Sequence, residues 1–271
     1  MSARKYLLIP QLLWYGLRAP RAQSAAWNRF WSSIERTGPD GQVLWDAASR
    51  EELDGVLARV DAHMDRTLPL VDLGCGNGRY ARALASRFPR VVGVDVSPSA
   101  VARAQEESRG TATVSFRTLD VAAPGAVRAL AQELGEANVF MRGVFHVFDA
   151  SQRATAVANL RELVGTRGVI YCAETNYTGD PLDQLVAQGA TPTGMPDPLR
   201  RCIAAGIRPP SHFGEAQLRE FFPASSWEVL EHGPVTMHGL PLTSGAGTFE
   251  VIPSFYALVC PRARRGNARA S

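Results

Sequence analysis

The chain is short of cysteine, of excess charge and of long apolar runs, and each shortage excludes a class of function. Its four cysteines, Cys75, Cys172, Cys202 and Cys260, lie far apart and form no Cys-x-x-Cys pair. That spacing suits reduced thiols rather than a disulfide framework or a zinc site, so no metal is expected. Cys172 and Cys260 fall in apolar runs and read as small core residues. The net charge of +3 depends on the C-terminal end, where Pro261 to Ser271 carry four arginines; without them 25 basic residues face 26 acidic ones. A near-neutral body offers no footprint for nucleic acid, and the basic end reads as a disordered tail. No apolar stretch is long enough to span a bilayer, so stable membrane insertion is not expected. Tyr6 to Leu17, behind Arg4-Lys5, is interrupted by Pro10 and Gln11 and carries Trp14 and Tyr15. It reads as a segment that packs on the protein, covers a site or joins a neighbouring subunit in a homo-oligomer, not as a secretion leader. There is no repeat at solenoid periods.

What is present centres on Val71-Asp72-Leu73-Gly74-Cys75-Gly76-Asn77-Gly78-Arg79-Tyr80. An apolar run from Leu68 to Leu73 predicts a short buried strand, three alternating glycines a sharp loop, and Tyr80 to Ala85 a helix. A strand turning through glycines into a helix is a nucleotide-type site at the carboxyl end of a parallel strand. The run Asp72 to Gly78 resembles the E/D-x-G-x-G-x-G signature of class I S-adenosylmethionine-dependent methyltransferases. The dehydrogenase fingerprint G-x-G-x-x-G fits less well, because the third glycine comes one residue early.

Later landmarks extend the resemblance over about Trp45 to Asn176. Val91 to Val96 predicts a second strand ending in Asp95, 21 residues after Gly74, where a carboxylate can accept from both ribose hydroxyls. The alternative for Asp95 is a cap on the next helix, for which Ser97-Pro98 is better suited. The resemblance places Asp120, after a strand over 112–119, on the adenine amino group, with the Val121 backbone at the ring. It places Arg142 and Gly143 near the methionine moiety. The run 137–148 predicts strand four; it resembles the family's passage from strand four into the loop above the methyl donor, where Phe145-His146-Val147 stands for a leucine-histidine-histidine pattern. In several small-molecule members of that family the first histidine serves as general base, a task suited to an imidazole that titrates near neutrality. The alternative is a histidine merely satisfied at a strand end. Asp72, Gly74, Cys75, Gly76, Gly78, Asp95, Val96, Asp120, Val121, Arg142 and Gly143 are thus the expected contacts of S-adenosyl-L-methionine, and His146 the candidate catalytic residue. Such an enzyme is expected in the cytoplasm, where its cofactor is made.

Five alternating strands and helices, with two closing strands, predict an α/β, doubly wound, seven-stranded sheet whose last strand is antiparallel. N-terminal helices and an inserted lid are expected around it. The segments are a helical cap over 1–48, a cofactor core over 49–176, a lid over 177–213, closing elements over 214–260 and the tail over 261–271. Ser49 and Glu52 predict a capping box; Gly233 to Gly247 predicts an irregular insertion. Trp27, Phe30, Trp31 and Ile34 recur at helical spacing, as a core stripe or as the roof of a hydrophobic pocket. Tyr15, Trp27, Trp31, Trp45, His146, Tyr177 and His238 are the candidate acceptor contacts. No N/D-P-P-Y/F follows strand four and no Pro-Cys pair is available, which disfavours amino methylation of nucleobases and 5-methylcytosine chemistry. A small hydrophobic acceptor, a natural product or lipid-like molecule, is therefore expected, methylated on oxygen, nitrogen or carbon. Two rivals stand beside it: a nicotinamide-dependent oxidoreductase, and a cofactor-binding cyclase or partner subunit that transfers no methyl group.

Overall fold

A computed structural model describes residues 3–243 and 249–262. A 3₁₀ turn over Ala3–Leu8 leads into helices α1 (Ile9–Gly16) and α2 (Gln23–Ser32). Helix α3 (Arg50–His63) starts at Ser49, whose side chain accepts from the Glu52 N–H at 3.2 Å. The capping box is only half formed, because the Glu52 carboxylate turns away into the protein.

The sheet comprises β1 (Leu70–Leu73), β2 (Val91–Asp95), β3 (Val114–Thr118), β4 (Asn138–Arg142), β5 (Ile170–Thr175), β6 (Trp227–Gly239) and β7 (Glu250–Pro261). Between them run α4 (Arg79–Leu84), α5 (Pro98–Glu107), α6 (Arg128–Leu134), α7 (Ala150–Val164), α8 (Pro181–Ala187), α9 (Asp197–Ala205) and α10 (Glu215–Phe221). The strand order is β3-β2-β1-β4-β5-β7-β6, with β1 to β5 parallel and β7 antiparallel to both neighbours. The order reverses between β1 and β4, which opens a crevice at their carboxyl ends.

Strand alternation divides the core into two layers. Val71, Leu73, Val139 and Met141 face α6, α7 and α10, together with Phe145, Leu160 and Phe222. Leu70, Phe140 and Tyr171 face α3, α4 and α5. On that second face the rings of Tyr80, Phe140, Tyr171 and Tyr256 follow one another across the sheet at 5.0, 5.3 and 6.3 Å. Asp72 and Arg142 point the same way as these rings, so the pleat brings a charge from each central strand to one side of the crevice.

Three boundaries differ from expectation. The run expected to carry strand four to Phe148 ends at Arg142, because Gly143 takes φ +73° and starts a 3₁₀ turn over Phe145–Val147. The irregular stretch expected from Gly233 begins later, since β6 continues to Gly239. Pro234 is tolerated there because β6 is an edge strand, and a bulge between Val229 and Glu231 adjusts its register. Strand β7 runs one residue into the expected tail, to Pro261; residues 263–271, like 244–248 of the expected insertion, lie outside the described residues.

Within 177–213 stand the two short helices α8 and α9. Helix α9 packs against α1 and α2. Lys5 reaches Asp180 and Asp183 of this segment, at 2.8 Å each.

Candidate functional site: the glycine crevice

The loop after β1 turns through Gly74 at φ +72° and Gly76 at φ +53°. A side chain would be strained at both and would also collide. A Cβ on Gly74 would stand 2.6 Å from Val144 Cγ2, and one on Gly76 would stand 2.8 Å from the indole of Trp31. Glycine is therefore needed twice over, for the turn and for close approach. The contact with Val144 also locks this loop to the turn that carries His146.

Asp95 closes the loop from below. Its Oδ2 accepts from the Gly76 N–H at 3.0 Å and its Oδ1 from the Ser97 N–H at 2.9 Å, while Ser97 itself caps α5 through the Ala100 N–H. Burial pushes the Asp95 carboxyl up to about 6 against those N–H groups. Asp72 is fully buried beside it; burial, with the neighbouring Asp95, raises its carboxyl to about 7. Its Oδ2 has no hydrogen-bond partner and borders the crevice.

The roof is aromatic. Trp31 lies on Gly76, and Trp45 stacks on Phe30 at 5.2 Å. Trp27 stands behind Trp45, edge-on at 5.5 Å, and does not line the crevice. Beneath this roof the space measures about 50 Å³, far below the several hundred Å³ of a typical small-molecule pocket.

Two polar clusters that the sequence does not announce hold the walls. Asp46 accepts from Arg79 at 2.6 Å, Asn77 at 2.9 Å and the Gly38 N–H at 2.7 Å, tying the glycine loop to the N-terminal segment. Glu52 accepts from Arg142 at 2.5 and 3.1 Å, from the Tyr80 hydroxyl at 2.9 Å and from the His238 N–H at 2.7 Å. Burial alone would raise the Glu52 carboxyl, but the Arg142 charge and these donors hold it below its usual range. The His238 ring pairs with Ser49 at 2.7 Å, one layer behind the crevice.

Beyond Arg142, the His146 turn is built on Glu174. This fully buried carboxylate at the end of β5 accepts from the N–H groups of Val144, Phe145 and His146 at 3.0, 2.9 and 3.2 Å. It also meets His146 Nδ1 at 2.8 Å. A carboxylate so placed fixes Nδ1 as the donor and leaves Nε2 as the acceptor. The His146 carbonyl accepts from the Ser211 N–H and hydroxyl at 2.8 Å each, which fastens 177–213 to this turn. Nearby, Thr175 Oγ1 and Asn176 Oδ1 are buried without partners.

The remaining expected residues are spread around this centre. Cys75 lines the crevice, its thiol pushed well up by burial. Val96 and Val121 follow β2 and β3, and Gly143 lies against His146 Cε1. Asp120 is exposed and accepts from the Ala122 N–H at 2.9 Å, stabilising its own loop. Tyr15 packs edge-on to Trp14, and Tyr177 packs against the core layer that holds Phe140 and Tyr171; neither lines the crevice.

Comparison with known proteins bears on this geometry. The family model described as a methyltransferase domain matches residues 70–168. No curated protein is significantly similar in sequence. Among solved structures, a SAM-dependent methyltransferase from Anabaena variabilis is 29% identical, with a TM-score of 0.77 over 90% of this chain and 97% of that one. Magnesium protoporphyrin IX methyltransferase from Synechocystis, with SAH bound, is 19% identical, with a TM-score of 0.54 over 88% and 93%. At 18% identity and a TM-score of 0.59 over 82% and 87% comes a protein solved in work on the conversion of a disulfide bond into a thioacetal group during echinomycin biosynthesis. The last two share the fold. Residues 70–168 are thus a methyltransferase domain, and the chain has the Rossmann-like fold and enzyme class of the S-adenosylmethionine-dependent methyltransferases.

Proposed function

We propose that the protein methylates a small hydrophobic acceptor, a natural product or lipid-like molecule, on oxygen, nitrogen or carbon, and works in the cytoplasm. S-Adenosylmethionine is its cofactor. The residues at the end of β1 suit it in one respect: Asp72 offers a buried, unpartnered carboxylate oxygen to a cationic group. When bound, the cofactor supplies a methyl group on a sulfonium for in-line displacement, so alignment carries most of the catalysis. Asp95 is the proposed ribose contact, Asp120 and Val121 the adenine contacts, and Arg142 with Gly143 the boundary of the methionine end.

The observation that carries the acceptor side is the Glu174–His146 pair. It stands four residues beyond Arg142, which lines the crevice, with its ring 12% exposed. Nε2 accepts the proton that an acceptor hydroxyl or amine must lose, and Glu174 stabilises the resulting imidazolium. Trp31 and Trp45 present apolar surface above the same loop and exclude water. The N-terminal segment and 177–213 close over it, which favours a small acceptor over a macromolecule.

Single-turnover assays with labelled S-adenosylmethionine and a panel of hydrophobic phenols and amines test this reading. His146→Ala is expected to slow transfer by about 10²–10⁴-fold while calorimetric affinity for S-adenosylhomocysteine stays unchanged; Asp95→Ala is expected to abolish that affinity. Transfer by His146→Ala at the wild-type rate would exclude the base.

A further inference from the structure

The N-terminal helix is apolar on both sides. Toward the protein, Leu8 is 1% exposed and packs with Ala190 and Leu199, with Leu12 alongside. Lys5 on the same side is engaged by Asp180 and Asp183. Toward solvent, Tyr6, Leu7, Leu13, Trp14 and Leu17 are 56, 57, 63, 51 and 85% exposed. These positions fall on one stripe, offset from the buried one by the helical period. Among the described residues, six of the ten exposed large apolar side chains lie between 6 and 17, and a seventh, Val186, is on α8. A helix apolar all round is one whose second face is covered in the working molecule.

Charge decides what covers it. The first acidic residue of the chain is Glu35, and five basic residues precede it: Arg4, Lys5, Arg18, Arg21 and Arg29. Arg18 and Arg21 are exposed just past the end of α1, the Arg18 guanidinium 4.1 Å over the Trp14 ring. The acids on the adjoining elements are engaged: Asp180 and Asp183 by Lys5, and Asp197 by Arg200 and Arg201. A two-fold contact would bring this arginine-rimmed, acid-free face against itself, like charge on like. A bilayer bearing anionic headgroups complements it instead: leucines reach the acyl boundary, Trp14 and Tyr6 sit at the headgroup level, and arginines meet phosphate. At eight residues α1 is about 12 Å long, too short to span and suited to lie in the interface plane.

We propose that residues 6–17 dock the protein peripherally on an anionic phospholipid surface. The inference is independent of the acceptor and of His146.

The test is co-sedimentation of the full chain with phosphatidylcholine vesicles, with and without about one-third phosphatidylglycerol, followed by light scattering of the protein alone. Binding is expected only with phosphatidylglycerol, to weaken as salt is raised, and to fall at least about tenfold in the Leu13→Glu/Leu17→Glu variant. Arg18→Glu/Arg21→Glu is expected to fall similarly. Thermal midpoint and S-adenosylhomocysteine affinity are expected to be unchanged in both variants, because none of the four side chains is buried. Absence of binding to anionic vesicles, or binding indifferent to Leu13→Glu/Leu17→Glu, would overturn the proposal. So would a dimer in solution that this variant dissociates, which would assign the face to a second copy.

Discussion

Asp72 and Asp95 stand near the carboxyl ends of adjacent strands under one glycine loop, and burial raises their carboxyls to about 7 and about 6. Both values lie above those of the unfolded chain, so the native state holds protons that the unfolded state has lost. The stabilising contribution of each is therefore full below about pH 4, declines as pH rises toward the folded value, and is gone above it. Their share of the pH dependence, without cofactor, is a fall in thermal midpoint between about pH 4 and 7, superposed on the rise contributed by carboxylates held low, such as Glu52. Asp72→Asn removes the larger part of that slope, and its midpoint at pH 7.5 is expected to lie a few degrees above wild type, with weaker S-adenosylhomocysteine binding. A scanning-fluorimetry series over pH, with calorimetric titration, checks both; an undiminished slope in Asp72→Asn would assign the effect elsewhere. The position of Asp95 beside the glycine loop was legible because its distance from Gly74 is characteristic of a fold. Glu174 was not: in Tyr171-Cys172-Ala173-Glu174 a carboxylate at a strand end carries no mark of the three N–H groups that will converge on it.

Helix α3 and strand β4 are clasped by a single buried ion pair, Glu52 with Arg142, whose side chains are 5 and 7% exposed. Removing one charge leaves the other buried without compensation, a loss of about 3–5 kcal/mol. Glu52→Gln is expected to lower stability by that order in urea unfolding, with the double variant Glu52→Gln/Arg142→Met recovering part of it; a loss below about 1 kcal/mol would show the pair to be dispensable. The strands themselves were readable, since apolar runs bounded by glycine and proline fix short parallel strands well. Their ends were harder to read. Ser49 and Glu52 have the spacing of a capping box, yet Arg142, 90 residues away, is a stronger partner for the carboxylate than a helix N–H. The length of β6 was missed for a related reason. Gly233 and Pro234 break a strand locally, but pairing with Tyr256 and Phe255 at the sheet edge carries the strand through.

At the scale of the whole molecule, the N-terminal segment and the insertion between β5 and α10 form one cover, joined by Lys5 with Asp180 and Asp183 and by Leu8 with Leu199. Lys5→Ala is expected to loosen that cover and to speed tryptic cleavage at Arg18 and Arg21 relative to wild type, with the cleavage pattern of the sheet unchanged; equal rates would mean that the apolar contact alone holds the segment. Sequence periodicity placed helices in this region but could not join its two parts, because the contacts are single residues far apart in the chain. That separation also sets an order of events during synthesis. Lys5 and Asp180 are 175 residues apart, and a ribosome adds about 5–20 residues per second. The first helix, apolar on both faces, therefore waits roughly 10–40 s outside the exit tunnel before its protein partner is made, long enough for a chaperone or a membrane surface to reach it first.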